Sequence, residues 1–193
     1  MNEALWWACG NPNAMVDELR HKVSDRKLRW YAVACVRRNP PTKFTKFHWD
    51  MVKEVEDAAE EGWQLPEWQL WAGEALGALL LVNAFRAAWA TADRTLGKED
   101  SQRDESRKAQ CGLLRDIFGN PFHPVTFAPE WRTDTVRALA AQMYESRDFS
   151  AMPILADALQ DAGCDNTEIL DHCRGEGPHV RGCWVVDLLL DKA

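Results

Sequence analysis

Cysteine and histidine residues are concentrated in the last part of this sequence. Three of the six cysteines and two of the five histidines lie within the twenty residues from Cys164 to Cys183. Cys164, Cys173, His179 and Cys183 follow the spacing Cys-x8-Cys-x5-His-x3-Cys. Zinc accepts cysteine sulfur and histidine nitrogen in tetrahedral geometry, and the glycines and proline between Cys173 and His179 allow the chain to turn around an ion. The pattern predicts a structural zinc site with these four ligands.

Two other interpretations of this cluster stay open. The segment has no Cys-x2-Cys knuckle, and Cys173 falls on the apolar face of its predicted helix, where a free cysteine packs as a small hydrophobe. His172 could replace Cys173 as a ligand, although neighbours on one helix rarely reach the same metal. A thiolate–imidazolium pair, of Cys173 with His172 or of Cys183 with His179, would instead indicate nucleophilic catalysis.

The elements that must position these residues are helical nearly throughout. From Leu28 to Val36 apolar residues recur at the spacing of a one-faced helix, with Ser24 and Asp25 at its N-cap and prolines after Asn39 as its stop. The same patterns predict further helices at residues 46–62, 67–92, 136–143, 152–162, 167–173 and 182–192, and one that ends near residue 118. No alternating run indicates a sheet.

A proline-rich segment interrupts this helical pattern near residues 119–129. Its prolines and its Gly119-Asn120-Pro121 turn predict an ordered extended loop. Loops also join elements within one domain, so we expect one compact all-α domain over residues 1–193, with about eight helices. A subdivision into residues 1–118, with long helices, and 130–193, with short ones, is the alternative.

Positive charge is concentrated in one region of a chain whose net charge is −7. Nine basic residues and one acidic residue lie between Arg20 and Lys46, and an acidic stretch follows directly. The predicted helix over residues 25–38 carries Arg26, Lys27, Arg29, Arg37 and Arg38. These side chains are candidates for binding an acidic protein partner or nucleic-acid phosphates. Alternatively, the basic and acidic helices pack as a hairpin and offset each other's charge.

Several classes of protein are disfavoured by what the sequence lacks. Its first residues lack the basic region and the long apolar run that are typical of a signal peptide, and its most apolar stretch, residues 75–85, is far shorter than the roughly 20 residues of a membrane span. Gly-rich phosphate loops, nucleophile elbows, His-Glu-x-x-His and EF-hand loops are also absent from the sequence. We therefore expect a cytoplasmic protein without membrane contact, whose cysteines are thiols or metal ligands.

Five segments carry a resemblance to other sequences: Ser24–Arg29, Leu113–Phe122, Leu155–Leu159, His172–Arg174 and His179–Asp187. They are similar to segments of an uncharacterised bacterial family that occurs as many paralogues within single genomes. The resemblance covers nearly the whole chain and is most specific at Leu113–Phe122 and across His172–Asp187. It implies no particular activity, although expansion in copy number suits an interaction or regulatory module.

These observations favour a non-enzymatic interaction or regulatory module with an unidentified protein partner. No catalytic constellation is complete, the ten tryptophans exceed ordinary usage, and the charge is polarised. The alternatives are a zinc-binding domain with a structural site at the Cys/His cluster, and nucleic-acid binding through the helix over residues 25–38. The sequence predicts no catalytic residue and no cofactor other than zinc.

Overall fold

The computed structural model describes residues 1–40, 44–61, 84–96 and 99–192, and these ranges contain helices and no strand. The ten α-helices of the described ranges are α1 (Glu3–Ala8), α2 (Pro12–Glu18), α3 (Asp25–Arg38), α4 (Lys46–Glu61), α5 (Ala84–Arg94), α6 (Asp100–Phe118), α7 (Asp134–Ser146), α8 (Met152–Asp161), α9 (Thr167–Arg174) and α10 (Trp184–Leu189). The all-α prediction is confirmed. Most of the helix predicted over residues 67–92 lies outside the described residues.

Short polar side chains set the starts of several helices, as the capping patterns predict. The Ser24 hydroxyl accepts a hydrogen bond from the Lys27 amide at the start of α3, which ends at Arg38 as expected. Asn166 caps α9 in the same way. Helices α1 and α2 were not predicted from the apolar pattern, although Asn2 and Asn11 cap them.

Helix α10 is shorter than predicted because of the backbone conformation at its two ends. The pattern of apolar residues predicted a helix over residues 182–192. Gly182 has φ 90° and Asp191 has φ 53°, so both lie in the left-handed region, where a right-handed helix does not continue. The helix is therefore confined to Trp184–Leu189.

The chain forms two compact units, Met1–Arg115 and Asp116–Ala193. The division falls within α6, slightly before the subdivision that the sequence suggested after residue 118. Whether the chain folds as the one domain that the sequence favoured stays a prediction. None of the helices in the described ranges combines the length and apolar character that crossing a bilayer requires.

In the first unit, α3 packs against α4 and α5, and α2 packs against α5. Trp30, Val33 and Val36 of α3 join Val52 and Val55 of α4 in one buried cluster. The periodicity predicted a helix with one buried face, whereas every residue from Leu28 to Val36 is buried, so α3 is enclosed on all sides within the unit.

The basic face of α3 is directed largely to the acidic helix α4. Arg26 pairs with Glu60 at 3.1 Å, and Arg37 pairs with Glu56 at 2.6 Å. Arg29 is buried. These contacts favour the charge-offset hairpin, because three of the five basic residues proposed to bind a partner are engaged or buried within the unit.

The remaining two basic residues of that proposal differ in their surroundings. Lys27 is half-buried and Arg38 is exposed. The binding of nucleic acid or an acidic partner by Arg26, Lys27, Arg29, Arg37 and Arg38 stays a prediction. A phosphate-binding surface requires several solvent-facing cations in a row, and this helix does not offer such a row.

Replacing Arg37 by alanine is expected to destabilise the protein by about 1–3 kcal/mol, because Glu56 is only 2% exposed and would lose a charged partner. The change should lie in the lower part of that range, because the Arg37 side chain is itself 38% exposed and solvent screens the ion pair. Urea unfolding followed by circular dichroism measures the change. Arg38→Ala, at an exposed neighbour, is the matched control with an expected change within about 0.5 kcal/mol. Equal effects of the two substitutions would contradict the assignment.

In the second unit, α8 packs against α7 and α9, and α10 packs against α7 and α9. Their shared core includes Val136, Leu155, Ile169, Val185 and Leu189. The segment that leads into α7 turns at residues 121–123, has neither helix nor strand over residues 124–128 and ends in a 3-10 turn at Pro129–Trp131. The prolines predicted this interruption of the helical pattern, but only part of the segment can be extended, because Gly119 is left-handed and a turn follows it. The carboxyl-terminal turn of α6, the loop after α9 and the start of α10 carry the polar groups described next.

Candidate metal centre

Four side chains of the second unit converge on one small volume. Asp116 lies in the last turn of α6, His172 in α9, His179 in the loop after α9, and Cys183 directly before α10. One potential ligand atom from each residue lies within 4.8 Å of the other three. This is the one group of three or more metal-ligating side chains found in the part of the chain that the structure describes.

The distances within the group are short and centre on one carboxylate oxygen. Asp116 Oδ1 lies 2.9 Å from His179 Nδ1 and 3.3 Å from His172 Nε2. The same His172 Nε2 lies 3.2 Å from Cys183 Sγ. Tetrahedral zinc with bonds of about 2.0–2.3 Å sets its ligand atoms roughly 3.3–3.8 Å apart. These three separations, of the six within the group, lie close to that range, and all six are within 4.8 Å.

Hydrogen bonding accounts for part of this arrangement. A ring nitrogen carries at most one hydrogen, so His172 Nε2 cannot donate fully to both Asp116 Oδ1 and Cys183 Sγ. Asp116 Oδ1 faces two imidazole nitrogens at once. Four potential ligand atoms this close together could also be held by one metal ion.

The surrounding backbone orients the candidate ligands. His179 Nε2 lies 3.2 Å from the Gly175 carbonyl, which accepts its hydrogen and turns Nδ1 toward Asp116. The second oxygen of Asp116, Oδ2, accepts a hydrogen bond of 3.0 Å from the Val180 amide. Metal-binding histidines and carboxylates commonly have such outer partners, which fix the tautomer and the ring orientation.

The loop that carries His179 depends on glycine for its path. Gly177 has φ 89°, and a Cβ atom there would lie 2.9 Å from the His179 backbone nitrogen. Gly182 has φ 90° directly before Cys183. The loop can therefore return from the end of α9 to the start of α10 within a few residues, which places His179 and Cys183 beside His172.

Burial and mutual contact shift the acid–base properties of the group. Burial acts to raise the pKa of Asp116, but hydrogen bonds from His172 and His179 outweigh it and hold that pKa below its ordinary value. Burial acts to lower the pKa of His179, but the bond to Asp116 outweighs it and raises the pKa. Burial raises the pKa of the Cys183 thiol well above its ordinary value. The charges of Asp116 and His179 thus stabilise each other at a buried position.

The sequence-predicted ligands are only partly brought together. His179 and Cys183 belong to the group, and His172, which was considered as a replacement for Cys173, belongs to it as well. Cys164 and Cys173 lie outside the group as buried thiols of the apolar core. The α9 helix directs Cys173 to the core beside Ile169, so its neighbour His172 points to the cluster.

Asp116 belongs to the group but was not among the ligands predicted from spacing. The residue lies in the Leu113–Phe122 segment that carries the family resemblance. Its signal was a charged residue among Leu113, Leu114 and Ile117 on a helix with an apolar face. Since a buried carboxylate needs partners, that position could have indicated a polar site.

The geometry does not support a cysteine nucleophile. Cys183 is fully buried, and burial raises its thiol pKa, whereas a nucleophilic cysteine needs access and a lowered pKa. Cys173 is likewise buried, and burial raises its pKa to about 12. The arrangement is chemically suited to coordination and not to attack on a substrate.

Trp184 covers one side of the group and depends on a glycine. Its ring centre lies 5.2 Å from that of His172, and a Cβ atom on Gly119 would lie 3.1 Å from the Trp184 ring. Gly119 also has φ 61°, in the left-handed region. Gly119 is thus required both by its left-handed backbone conformation and by its close contact with the Trp184 ring.

Gly119→Ala is expected to destabilise the protein by roughly 1–2 kcal/mol, because the substitution combines a left-handed backbone with a crowded Cβ. Thermal unfolding monitored by circular dichroism measures the loss. Gly10→Ala is the control, since no atom lies within 4 Å of its Cβ position and its φ is not in the left-handed region. If the two variants unfold alike, the close packing of Trp184 on Gly119 is not a constraint.

Fold and site together define a helical protein with a candidate metal centre of the Asp/His/His/Cys type. Comparison with protein-family models, with curated protein sequences and with solved structures finds no match to this chain. Membership of the bacterial paralogous family therefore stays a prediction, as does the cytoplasmic location.

Proposed function

We propose that the second unit binds one divalent transition metal, zinc in the first place, through Asp116, His172, His179 and Cys183. The observation that carries this proposal is the convergence of four ligand atoms within 4.8 Å, from two residues on helices, one in a loop and one directly before a helix. The role is structural, because four protein ligands complete a tetrahedral shell and leave no position for a substrate. The proposal revises the zinc prediction made from sequence by exchanging two of its four ligands.

Charge balance supports a divalent ion at this place. Ionised Asp116 and Cys183 contribute two negative charges, and the two histidines bind as neutral rings. A Zn²⁺ ion would make the set neutral, which suits a site where Asp116 is 3% exposed and Cys183 is fully buried. One thiolate and two imidazoles also favour zinc over magnesium or calcium, which prefer oxygen ligands.

Direct titration tests the proposal. Protein purified without a metal-affinity tag is treated with chelator, dialysed and titrated with Zn²⁺ in a calorimeter. We expect one Zn²⁺ per chain, with an apparent binding free energy on the order of 10 kcal/mol near neutral pH. Co²⁺ added to the same protein should give sulfur-to-cobalt charge-transfer absorption, because Cys183 is a ligand. Absence of stoichiometric binding would leave the group as a hydrogen-bonded network around Asp116.

A second candidate function is the interaction module that the sequence favoured, and the observation that supports it lies on α1. Trp6 is fully buried, whereas its neighbours Leu5 and Trp7 are 57% and 48% exposed. Exposed tryptophan and leucine side by side are typical of protein-binding surfaces. Sedimentation velocity over a range of concentrations tests self-association through this surface, with Trp7→Ser as the variant expected to abolish it. A monomer at all concentrations would remove a second copy of the chain as the partner.

A further inference from the structure

The loop that carries His179 has little apolar anchorage. We call residues Gly175–Gly182 the strap, because they join α9 to Cys183 and α10. Residues 175–181 are exposed or half-buried, whereas the flanking helices place Ile169, Leu170, Val185 and Val186 in the core. Segments with few buried apolar side chains open locally at low free energy, without unfolding the rest of the unit.

The strap is held by polar contacts at two places. At its middle, Asp116 contacts the His179 ring through Oδ1 and the Val180 amide through Oδ2. Near its end, Arg181 Nε donates to the Tyr144 carbonyl at 2.5 Å, and its guanidinium lies over the Tyr144 ring. The first anchor is the one that involves the candidate metal centre, so its strength depends on what Asp116, His179 and the other ligands bind.

Two of the four candidate ligands belong to the strap or follow it directly. His179 lies at its centre and Cys183 immediately after its last residue, while Asp116 and His172 lie on helices. Coordination would therefore tie the strap to α6 and α9. With an ion bound, opening the strap would have to break two coordinate bonds in addition to the Arg181 contacts. Without an ion, coordination is replaced by the hydrogen bonds and the ion pair that Asp116 makes with the strap.

From this placement we infer that the centre regulates the strap: a bound transition metal closes it, and loss of the metal releases it while α7, α8 and α9 stay folded. The inference rests on the proposed metal binding and adds to it that the bound metal closes the strap. It makes the exposed part of the strap, with Glu176 at its tip, a surface whose order depends on metal supply. Only an ion that accepts sulfur and nitrogen ligands has this effect, so Mg²⁺ does not close the strap.

Hydrogen exchange measured by mass spectrometry tests the inference on the full chain. Peptides that cover residues 175–183 report on the Val180 and Cys183 amides, which donate to Asp116 and to the Val180 carbonyl. Peptides from α8 report on the rest of the unit. With chelator, strap amides are expected to exchange much faster than α8 amides. With free Zn²⁺ at about 100 times its Kd, strap exchange should slow by about 100-fold.

The results that overturn the strap inference differ from those that overturn metal binding. If calorimetry shows one bound Zn²⁺ but strap exchange is unchanged, metal binding stands and the strap inference is wrong. It is also wrong if strap and α8 amides exchange at one shared rate in chelator, since the strap then opens only with the unit. If no Zn²⁺ binds, the proposed function fails first.

Two controls make these outcomes specific. Cys164→Ala removes a buried thiol outside the group, so Zn²⁺ should slow its strap exchange as in the unsubstituted protein. Cys183→Ala should show fast strap exchange with or without Zn²⁺. Mg²⁺ added to the unsubstituted protein should leave strap exchange at its chelator rate, and this measurement requires no substitution. Slowing by Mg²⁺ would contradict the inference.

Discussion

Cys183→Ala is expected to weaken Zn²⁺ binding by more than about 100-fold, because removal even of an outer partner of a metal ligand costs about 10- to 100-fold. Cys183 supplies the single sulfur of the group and one of its two negative charges. Its loss leaves Asp116 and two imidazoles, a set that binds zinc with an open position and less charge. Calorimetric titration with Zn²⁺ measures the affinity, and the sulfur-to-cobalt absorption should disappear.

Cys164→Ala and Cys173→Ala are the matched controls for this result. Both replace a buried cysteine of the same unit, and both residues belonged to the zinc site predicted from spacing. We expect each to lose stability as a core truncation does, by about 1 kcal/mol, while Zn²⁺ affinity changes by less than a few fold. If either control lost affinity as Cys183→Ala does, the ligand set drawn from the structure would be wrong.

The helices could be predicted from sequence because the signals for them are local. In α3 the repeated apolar residues and the Ser24 cap lie within one short segment. That segment alone therefore indicates both the helix and the residue at which it begins. Helix α10 was overextended because apolar residues continue beyond it, and only the backbone conformation of Gly182 and Asp191 shows where it stops. Periodicity shows which face is apolar but does not report left-handed residues.

The sequence indicated the segment of the chain that holds the candidate site, but it did not identify the four ligands correctly. Asp116 precedes His179 by 63 residues, and no spacing rule connects them. Cys164 and Cys173 were chosen because they are soft ligands near His179 in sequence. The orientation of α9 decides otherwise: Cys173 packs in the core, and His172 reaches Asp116 at 3.3 Å. Which residues become candidate ligands depends on which face of each helix packs against another helix. That packing is a property of the tertiary structure and not of the local sequence.

Opposite pH dependences with and without zinc are the second large effect we expect. In chelator, the folded protein holds His179 with a raised pKa and Asp116 with a lowered one. The His179 contribution to stability is fully present below its unfolded pKa of about 6.5 and is lost as pH rises through its folded pKa. The Asp116 contribution is present above about pH 3.9 and is lost as pH falls through its folded pKa.

The stability of the chelated protein should therefore fall as pH is raised from about 6 to 8. Zinc reverses the sign, because coordination requires a neutral His179 and a Cys183 thiolate. Binding then releases about two protons, and affinity should rise with pH by up to about 100-fold per unit. Urea unfolding at pH 6, 7 and 8, with chelator and with Zn²⁺, measures both slopes.

Asp116→Asn tests whether Asp116 is responsible for the pH dependence of stability, both with chelator and with Zn²⁺. The amide keeps the size of the carboxyl group but removes the charge that holds the His179 ring and would bind the ion. Both slopes should flatten, and the substitution should destabilise the chelated protein by about 3–5 kcal/mol, as loss of one partner from a buried ion pair does. A chelated wild-type protein whose stability rose with pH, as in zinc, would show that Asp116 and His179 do not form the charged pair, and the electrostatic basis of the centre would fall with it.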